Sequence, residues 1–477
     1  MLRWILGGRE TQGAVEKNTV LVIGDEQPKN VYTELQVLKG HFDIVRFLVQ
    51  IDNFRFASGG DDGLVLVWNV ETGERLQELR GHSQQITAMA AYSRPGRWAP
   101  HTDLLTASSD RTLSMWDPDT GNRVQTVSDL QSSVKCLLVL GQLSLWISGG
   151  NEMCVWNRNF DLLCRTDHHS DAGIAAMVEL PKNCIAAAVD KEIVIYRLSS
   201  VANEADMVVT EVRRLTDHRD SIRALITIND QLFASGSHIG ELIVWHSLDW
   251  TPQVFECILW DHPHVSPQEE IKLGGQKQSE MSIHHMASVG EFIAAAVGSG
   301  LYIYNILTRS VVAYRKTAHD SNIRQILLLP DGTFAKTTYG QNIASGTVKL
   351  GSFSHSFLQL MSCSEDGSVR IWELQDLPLP AEPASAGFFG MWSFGRTSKQ
   401  ASQPVKKVQE APALCTLELI GDLIGHSGAI QMFINFTDRG LVSCSTDHLI
   451  IIWKNGERES RLRSSSLFHK LDQNGGL

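Results

Sequence analysis

The chain lacks the long apolar segments that a membrane-spanning helix requires. No apolar run in its 477 residues approaches the roughly 18 residues of such a helix. The apolar part of residues 1–8 is too short for a secretory signal, and Leu2 stands where myristoylation requires a glycine. We therefore expect a cytoplasmic protein that reaches a membrane only as a recruited, peripheral component.

Cysteine is scarce, and the charge balance is acidic. The eight cysteines form no CxxC pair, and several fall inside predicted strands: Cys136, Cys154, Cys184, Cys363 and Cys444. This distribution favours buried free thiols in a reducing compartment over a disulfide framework. The net charge of −11 provides no basic field for nucleic acid, so no nucleic-acid partner is expected.

The signature motifs of common enzymes and metal sites are missing as well. The chain has no phosphate-binding loop, no GxSxG and no HExxH. Three groups of histidines invite a metal interpretation: His168–His169, His262 with His264, and His284–His285. No cysteine or carboxylate lies beside them at zinc-finger spacing, so we interpret them as loop or strand histidines. The sequence therefore predicts no metal, no other cofactor and no catalytic residue.

The chain does contain a ladder of eight aromatic residues, each closing a short β-branched or aliphatic run: Trp68, Trp116, Trp156, Tyr196, Trp245, Tyr304, Trp372 and Trp453. Successive members are 40 to 81 residues apart, which fits one repeated unit with insertions. A period near 40 residues with four short strands per unit is typical of a β-propeller. Because a propeller is first a binding surface, the pattern favours assembly over catalysis.

The first unit shows the strand and turn signals most clearly. Gly40-His41 begins it, Ser58 ends the second strand, the turn contains Asp62, and Trp68 closes the third strand. By these residues the chain is identified as a member of the WD-repeat family, and the resemblance covers nearly all of it. The resemblance implies that the histidine, hydroxyl, aspartate and tryptophan of a unit hydrogen-bond one another. Such a set, called a tetrad below, satisfies polar groups that are buried.

Complete tetrads occur in units one, two, seven and eight, which are consecutive around a closed ring. Their residues are His41, Ser58, Asp62 and Trp68; His82, Thr106, Asp110 and Trp116; His319, Ser362, Asp366 and Trp372; and His426, Ser443, Asp447 and Trp453. The fifth unit keeps His218, Ser235 and Trp245. It has Ile239 where the aspartate belongs, and units three, four and six are degenerate. We therefore expect the arc of units seven, eight, one and two to be the stiffer one.

The eighth unit ends after its third strand, at residues 449–453, and the missing fourth strand is available at residues 32–38. The predicted fold is all-β: a single eight-bladed WD-repeat β-propeller whose N- and C-terminal strands share one blade. This interpretation divides the chain into an N-terminal extension at 1–30, the propeller at 31–456, and a C-terminal helix and tail at 457–477.

Unit seven is interrupted twice. Residues 331–357 separate its first two strands, and either a surface hairpin, an unusual splice form or a binding loop is compatible with their composition. Residues 376–414, called the unit-seven loop below, separate its third and fourth strands. The loop contains Phe388, Phe389, Met391, Trp392, Phe394 and Arg396. This cluster either packs on the propeller or forms a short linear motif whose aromatic anchors insert into a partner.

Residues 457–471 are predicted to form a helix with Leu467, Phe468 and Leu471 on one face. A helix of this length is marginal alone and needs something to pack against. Capping the propeller and docking a partner are equally compatible with the pattern.

Three segments carry a closer resemblance, to one member of the WD-repeat family: residues 387–396, 400–407 and 451–460. This resemblance implies a non-catalytic scaffold in a complex with two DENN-domain proteins, those of chromosome 9 open reading frame 72 and of the Smith–Magenis chromosome region. It implies roles in autophagy and small-GTPase regulation. It also implies recruitment to lysosomes by a cationic amino-acid transporter that binds the unit-seven loop. The closing blade, with the N-terminal segment and the C-terminal helix, would contact the DENN proteins.

Two rival functions come from other classes. A substrate receptor of a cullin ubiquitin ligase usually shows Trp-Asp-x-Arg after the third strand of a blade. The corresponding stretches at 68–71, 116–119 and 156–159 do not match this motif. A chromatin or RNA reader would require a basic or aromatic face, which the acidic balance makes the weaker alternative.

Overall fold

The computed structural model describes residues 32–94, 101–128, 130–166, 173–200, 207–258, 281–329, 358–376 and 415–473. Within these ranges the chain forms thirty-two β-strands and one α-helix. The strands form eight sheets of four antiparallel strands each.

The strands follow one another blade by blade. The first five are β1 (Glu34–Leu38), which belongs to blade eight, and the strands of blade one, β2 (Val45–Gln50), β3 (Arg55–Gly60), β4 (Val65–Asn69) and β5 (Arg75–Leu79). Blades two and three are β6 (Ile86–Arg94), β7 (His101–Ser108), β8 (Leu113–Trp116), β9 (Arg123–Val127), and β10 (Cys136–Leu140), β11 (Leu145–Gly149), β12 (Met153–Asn157), β13 (Leu162–Arg165). Blades four and five are β14 (Ile174–Leu180), β15 (Cys184–Val189), β16 (Glu192–Ser200), β17 (Met207–Leu215), and β18 (Ile222–Asn229), β19 (Leu232–Ser237), β20 (Glu241–His246), β21 (Pro252–Cys257). Blades six to eight are β22 (Ile283–Val289), β23 (Phe292–Val297), β24 (Gly300–Asn305), β25 (Ser310–Arg315), then β26 (Ile323–Leu329), β27 (Gln359–Ser364), β28 (Ser368–Asp376), β29 (Cys415–Ile424), and β30 (Ile430–Asn435), β31 (Leu441–Ser445), β32 (Ile450–Lys454) with β1.

The blades form a closed ring. The first strand of each blade contacts the first strand of the next, and β30 of blade eight returns to contact β2 of blade one. The first strands are therefore the innermost, and the fourth strands are the outermost. The predicted eight-bladed propeller is confirmed.

The hydrophobic core is divided among the gaps between blades. Within the described part of the chain, eight clusters of buried apolar side chains each join two adjacent blades. Between blades one and two, for example, Val65 and Leu79 pack against Ile86 and Trp116. The third strands are buried on both faces, so their sequences are apolar runs without alternation. Each blade thus depends on its two neighbours for burial.

Both ends of the described chain build blade eight. Strand β1 pairs antiparallel with β32, from Glu34 opposite Lys454 to Leu38 opposite Ile450. The backbone N–H of Thr33 extends this ladder by donating to the carbonyl of Lys454 at 3.1 Å. The predicted sharing of one blade by the N- and C-terminal strands is therefore confirmed.

A single α-helix, α1 (Gly456–Gln473), follows blade eight directly, as predicted for residues 457–471. Asn455 caps it, because its side-chain oxygen accepts the backbone N–H of Arg458 at 3.1 Å. Glu457 and Glu459 in the first turn complement the positive end of the helix. Among the described residues, no helix is both long and apolar enough to cross a membrane.

The two insertions of blade seven fall between well-defined strands. Strand β26 ends at Leu329 and β27 begins at Gln359, while β28 ends at Asp376 and β29 begins at Cys415. The predicted insertion at 331–357 and the unit-seven loop after Asp376 lie outside the described residues. Residues 1–30 lie outside them as well.

Candidate partner-binding site

The tetrads fix the turns of the blades to their third strands, and blade one shows the arrangement. His41 Nδ1 lies 2.8 Å from Asp62 Oδ2, and His41 Nε2 lies 2.8 Å from Ser58 Oγ. The Trp68 indole N–H donates to the same Ser58 oxygen at 2.9 Å. Because a carboxylate only accepts, Nδ1 must donate to it, which leaves Nε2 to accept the serine O–H. One continuous chain of hydrogen bonds thus runs from the turn to the indole.

Blades seven and eight repeat this geometry. In blade seven, His319 lies 2.9 Å from Asp366 and 2.7 Å from Ser362, and the Trp372 indole lies 2.8 Å from the same serine. In blade eight, His426 lies 3.0 Å from Asp447 and 2.9 Å from Ser443, and the Trp453 indole lies 2.8 Å from that serine. The structure therefore brings together all members of these two predicted sets.

Blade two differs in one link. His82 Nε2 and the Trp116 indole both contact Thr106 Oγ1, at 2.7 and 2.8 Å. His82 Nδ1, however, lies nearer to Thr112 Oγ1 (2.9 Å) than to Asp110 (3.5 Å). Thr112 in turn donates to Asp110 at 2.6 Å, so a hydroxyl absent from the predicted set joins the chain.

Blade five has a complete set, contrary to the sequence-based expectation. Glu241 replaces the missing aspartate: His218 Nδ1 lies 3.2 Å from its Oε2, and the backbone N–H of Arg219 donates to that oxygen at 3.0 Å. The remaining links to Ser235 are 2.6 Å from His218 Nε2 and 2.8 Å from the Trp245 indole. Glu241 lies two residues beyond Ile239, and its longer side chain reaches back into the tetrad.

The corrected pattern changes the expected distribution of stiffness. Among the described residues, blade three keeps one link, from the Trp156 indole to Ser148 at 2.9 Å. Blade four has Ala186 and Tyr196 in place of the hydroxyl and indole. The arc of incomplete blades is therefore broken by blade five. A glutamate at the start of the otherwise apolar strand β20 was the signal in the sequence that could have revealed this.

The tetrad aspartates are held in their charged form. Burial alone would raise the pKa of Asp447, but the hydrogen bond and charge of His426 and the N–H groups of Ser427 and Leu449 lower it to about 2. The pKa of Asp366 is also lowered, by the corresponding contacts with His319 and Ser368. Burial lowers the pKa of His82 and of His218, so the neutral imidazole is favoured in both.

This shift predicts an acid-dependent loss of stability. The ordinary pKa of Asp447 is 3.8 and the folded one about 2. The ionised Asp447 side chain therefore contributes about 2 kcal/mol to the free energy of unfolding. This contribution is complete above pH 4 and is lost as the pH falls through about 2. In urea unfolding, the difference between the wild type and Asp447→Asn should shrink as the pH falls below 4. The matched variant Asp320→Asn, whose side chain is 89% exposed, should show no such trend. If the difference in stability between the wild type and Asp447→Asn did not change with pH, the lowered pKa of Asp447 would be contradicted.

Blade eight and helix α1 present the candidate partner surface. On β1, the outermost strand, the side chains of Leu35 and Val37 are 52% and 41% exposed. On α1, Leu462 is 49% exposed. Among the described residues no further strand pairs with the free edge of β1. The closing surface, defined as β1 together with α1, therefore offers apolar side chains and unpaired backbone groups side by side.

Polar contacts fix α1 against β1. Arg463 forms an ion pair with Glu34 at 2.7 Å, and this hydrogen bond lowers the pKa of the Glu34 carboxyl. The backbone N–H of Gly456 donates to Thr33 Oγ1 at 3.1 Å. The helix therefore starts in a defined direction relative to the outer strand. Leu467, Phe468 and Leu471, the predicted docking residues, lie on the described backbone of α1, beyond the part whose side chains are described.

The other predicted binding residues lie outside the described part of the chain. They are Phe388, Phe389, Met391, Trp392, Phe394 and Arg396 of the unit-seven loop. The strands that flank the loop, β28 and β29, pair from Ser368 opposite Ile424 to Asp376 opposite Cys415. This long ladder fixes where both ends of the loop leave the ring.

One group of described residues has the spacing of possible metal ligands: His101, Asp117 and Asp119. Arg55 forms an ion pair with Asp119, and His101 Nε2 lies 3.1 Å from Asp103 Oδ1. Within this group, the Arg55 guanidinium therefore already opposes the carboxylate of Asp119. Of the histidines considered above, His284 and His285 lie in β22, and the other pairs lie outside the described residues.

A closed eight-bladed ring held by histidine–hydroxyl–acid–tryptophan tetrads defines a WD-repeat β-propeller, a fold typical of non-catalytic scaffold proteins. The chain belongs to the WDR41 β-propeller family, whose model matches residues 1–340 and 333–463. It is 54% identical to human WD repeat-containing protein 41 over 482 aligned residues, which cover 100% of this chain and 99% of that protein. The mouse protein of the same name is 52% identical with the same coverage. These relatives support a WD-repeat scaffold protein.

Solved structures share the fold at much lower identity. The computationally designed Ika8 protein is 18% identical, with a TM-score of 0.58 over 88% of this chain and 98% of that one. Sqt1 of Chaetomium thermophilum, bound to the N-terminus of ribosomal protein L10, is 13% identical. Its TM-score is 0.60, over 90% of this chain and 100% of that one. At these identities the likeness concerns the fold alone.

Proposed function

We propose that this chain is the non-catalytic scaffold of a complex with two DENN-domain proteins, those of chromosome 9 open reading frame 72 and of the Smith–Magenis chromosome region. The complex regulates autophagy and small GTPases. Membership of the WDR41 family over the full chain length supports this proposal. The observation that carries it is the closing surface, where an outer strand with exposed Leu35 and Val37 lies beside a helix anchored by Arg463.

The closing surface suits a large protein partner for two physical reasons. Its exposed apolar side chains are the kind that bury in an interface, where a few anchors contribute most of the binding energy. The free edge of β1 also allows a partner to add a strand by main-chain hydrogen bonds. The Glu34–Arg463 and Thr33–Gly456 contacts join the helix to the strand. The exposed apolar side chains and the free strand edge therefore form one continuous surface.

Charges placed on the closing surface should release the DENN proteins. We expect Leu35→Asp with Val37→Asp, and separately Leu467→Asp, Phe468→Asp and Leu471→Asp together, to abolish co-purification with both partners. Each aspartate introduces a charge that the interface would have to desolvate. The matched control is Val208→Asp with Val212→Asp, which changes two similarly exposed residues on the outermost strand of blade four. That variant should retain the complex. Retained co-purification by the closing-surface variants, with unchanged thermal unfolding, would count against the proposal.

We further propose that the unit-seven loop recruits the complex from the cytoplasm to the lysosomal surface. In this proposal its aromatic residues bind a cationic amino-acid transporter of the lysosomal membrane, and the chain associates with the membrane only peripherally. The support is the aromatic cluster at 388–394 in a segment otherwise rich in proline and polar residues. Blade seven and the closing blade are neighbours in the ring, so one molecule can present both surfaces.

Removing the aromatic anchors should separate recruitment from assembly. Phe389→Ala, Trp392→Ala and Phe394→Ala together are expected to abolish lysosomal localisation in cells, because each truncation removes an apolar anchor worth on the order of 2 kcal/mol. Co-purification with the DENN proteins should be unchanged. The control is Ser398→Ala, Gln400→Ala and Gln403→Ala in the same loop, which should localise normally. If the aromatic variant localised normally, the loop would act only as a spacer, and the proposed binding of the transporter would be contradicted.

A further inference from the structure

The innermost strands share an irregularity at the inner rim of the ring. In seven blades the register between the first and second strands shifts by one residue near the start of the first strand, so that one residue is left unpaired. These rim residues are Arg46, Thr87, Ala175, Arg223, His284, Arg324 and Gln431. A β-bulge of this kind re-aims a side chain and is frequent beside binding sites.

Two of the rim arginines are neutralised within their own blades. Arg46 Nε lies 2.5 Å from Asp61 Oδ1, and Arg324 forms an ion pair of the same length with Glu365. Asp61 and Glu365 occupy one position, immediately before the tetrad aspartate in the turn between the second and third strands. These ion pairs therefore place the rim on the face that carries the tetrad turns.

Blade five departs from this pattern. His238 occupies the turn position that an acid fills in blades one and seven. Arg223 is exposed, and the structure shows no hydrogen bond or ion pair between it and any described residue. The turn of blade six is shorter and supplies no acid, since Val297 pairs directly with Gly300. Blade five thus presents a rim arginine, and blade six a rim histidine, without an acid from their own turns.

The basic groups of blades five to seven lie close together. Strands β18, β22 and β26 are neighbours, and each rim residue follows a fully buried isoleucine, Ile222, Ile283 or Ile323. His238 Nδ1 lies 3.1 Å from Ser282 Oγ at the entrance to β22, which brings the turn of blade five beside His284. The imidazole Nε2 of His284 is buried and has no hydrogen-bond partner among the described residues.

The electrostatics agree with this placement. Burial lowers the pKa of His284 most, and the nearby charges of Arg324, His238 and Arg223 lower it further, whereas Glu365 raises it. Three basic side chains and only one acid therefore act on His284. On a chain whose net charge is −11, Arg223 therefore places a local positive charge on an otherwise acidic protein.

We propose that Arg223, His284 and Arg324 form a binding site for an acidic peptide segment of a partner protein. A carboxylate of the peptide takes the place of the acid that the turn of blade five lacks. It binds the guanidinium of Arg223, which no described residue pairs and for which a bidentate geometry is available. His284 and Arg324 border the site, but the Nε2 atom of His284 is buried and Arg324 is paired with Glu365, so Arg223 is the group that the carboxylate binds. The site shares no residue with the closing surface or with the unit-seven loop, so it does not depend on the function proposed above.

The test measures fluorescence anisotropy of a fluorescein-labelled hexaglutamate peptide with the full chain. We expect Arg223→Ala to weaken binding at least about tenfold, the loss expected for one charge-assisted hydrogen bond. His238→Asp should weaken it similarly, because the new carboxylate occupies Arg223 from within the blade as Asp61 occupies Arg46. Arg46→Gln is the matched control at the same register position and should bind within about twofold of the wild type. Thermal unfolding of all variants verifies that the ring is intact.

Three results would overturn the proposal. The first is wild-type affinity in both Arg223→Ala and His238→Asp. The second is an equal loss in Arg46→Gln, which would show attraction to the ring in general rather than to this site. The third is displacement of the peptide by inorganic phosphate or free glutamate at the concentration of the peptide, which would identify a small-anion site instead.

Discussion

Deletion of residues 30–38 is expected to abolish the folded monomer. The deletion removes β1 and with it all five residue pairs that complete blade eight. It also removes two buried side chains that belong to different gaps in the ring. Tyr32 packs between blades seven and eight, and Leu38 packs between blades eight and one. The segment around β1 therefore contributes to the packing of blade eight against both of its neighbours.

The size of the effect follows from the stability of a typical domain. Truncating one buried leucine costs about 2–5 kcal/mol, and typical domains are stable by only about 5–15 kcal/mol. Loss of the whole strand also leaves β32 with an unpaired edge, which favours pairing with another molecule. Light scattering after size exclusion should show oligomers or aggregates, and thermal unfolding should lose its cooperative transition. Deletion of residues 1–29 is the control, because it retains Tyr32 and β1. A monomer of the longer deletion with an unchanged melting temperature would refute closure by β1.

Replacement of Glu241 by alanine is expected to destabilise the protein by about 3 kcal/mol. The Glu241 side chain is fully buried and accepts hydrogen bonds from the His218 ring and from the backbone of Arg219. Alanine leaves both donors without an acceptor, and an unsatisfied buried donor costs about 1–3 kcal/mol. The effect should match that of Asp62→Ala, because Asp62 accepts the corresponding bonds from His41 and Phe42 in blade one.

A second substitution tests the assignment directly. Asp62 of blade one and Asp447 of blade eight align with Ile239. Two residues further along, these blades have a leucine, Leu64 or Leu449. The double variant Ile239→Asp with Glu241→Leu therefore rebuilds the arrangement of those blades. We expect it to recover most of the free energy of unfolding that Glu241→Ala loses, as measured by urea denaturation. If the double variant is no more stable than Glu241→Ala, the carboxylate of Glu241 is not the tetrad acid.

Much of the fold follows from local patterns in the sequence. The aromatic ladder from Trp68 to Trp453 predicts eight blades, because each member ends a strand that is buried on both faces. The absence of a fourth strand after Trp453 predicts that β1 completes the last blade. Helix α1 follows from the spacing of its apolar residues. These features depend on periodicity, which a single chain displays directly.

The acid of blade five could not be found by the same reasoning. Alignment of turns places Ile239 at the tetrad position, but a glutamate side chain two residues later has the length to reach His218. Thr112 joins the tetrad of blade two for a similar reason. In both cases the turn supplies a different residue to the same acceptor position. The position of a residue in the sequence indicates only where its backbone lies. The hydrogen bond to the tetrad histidine also depends on the length and direction of the side chain.

Repeating apolar runs are visible in the sequence alone. They specify the number of blades, the order of the strands and the sharing of one blade by the two ends. Two features depend on the folded ring: which acid completes blade five, and which rim arginine lacks a counter-charge among the described residues. Arg223 and His284 belong to different blades, and they become neighbours only when the first strands of the blades meet around the ring. Charge balance at such a place depends on residues far apart in the chain, so no local pattern reports it.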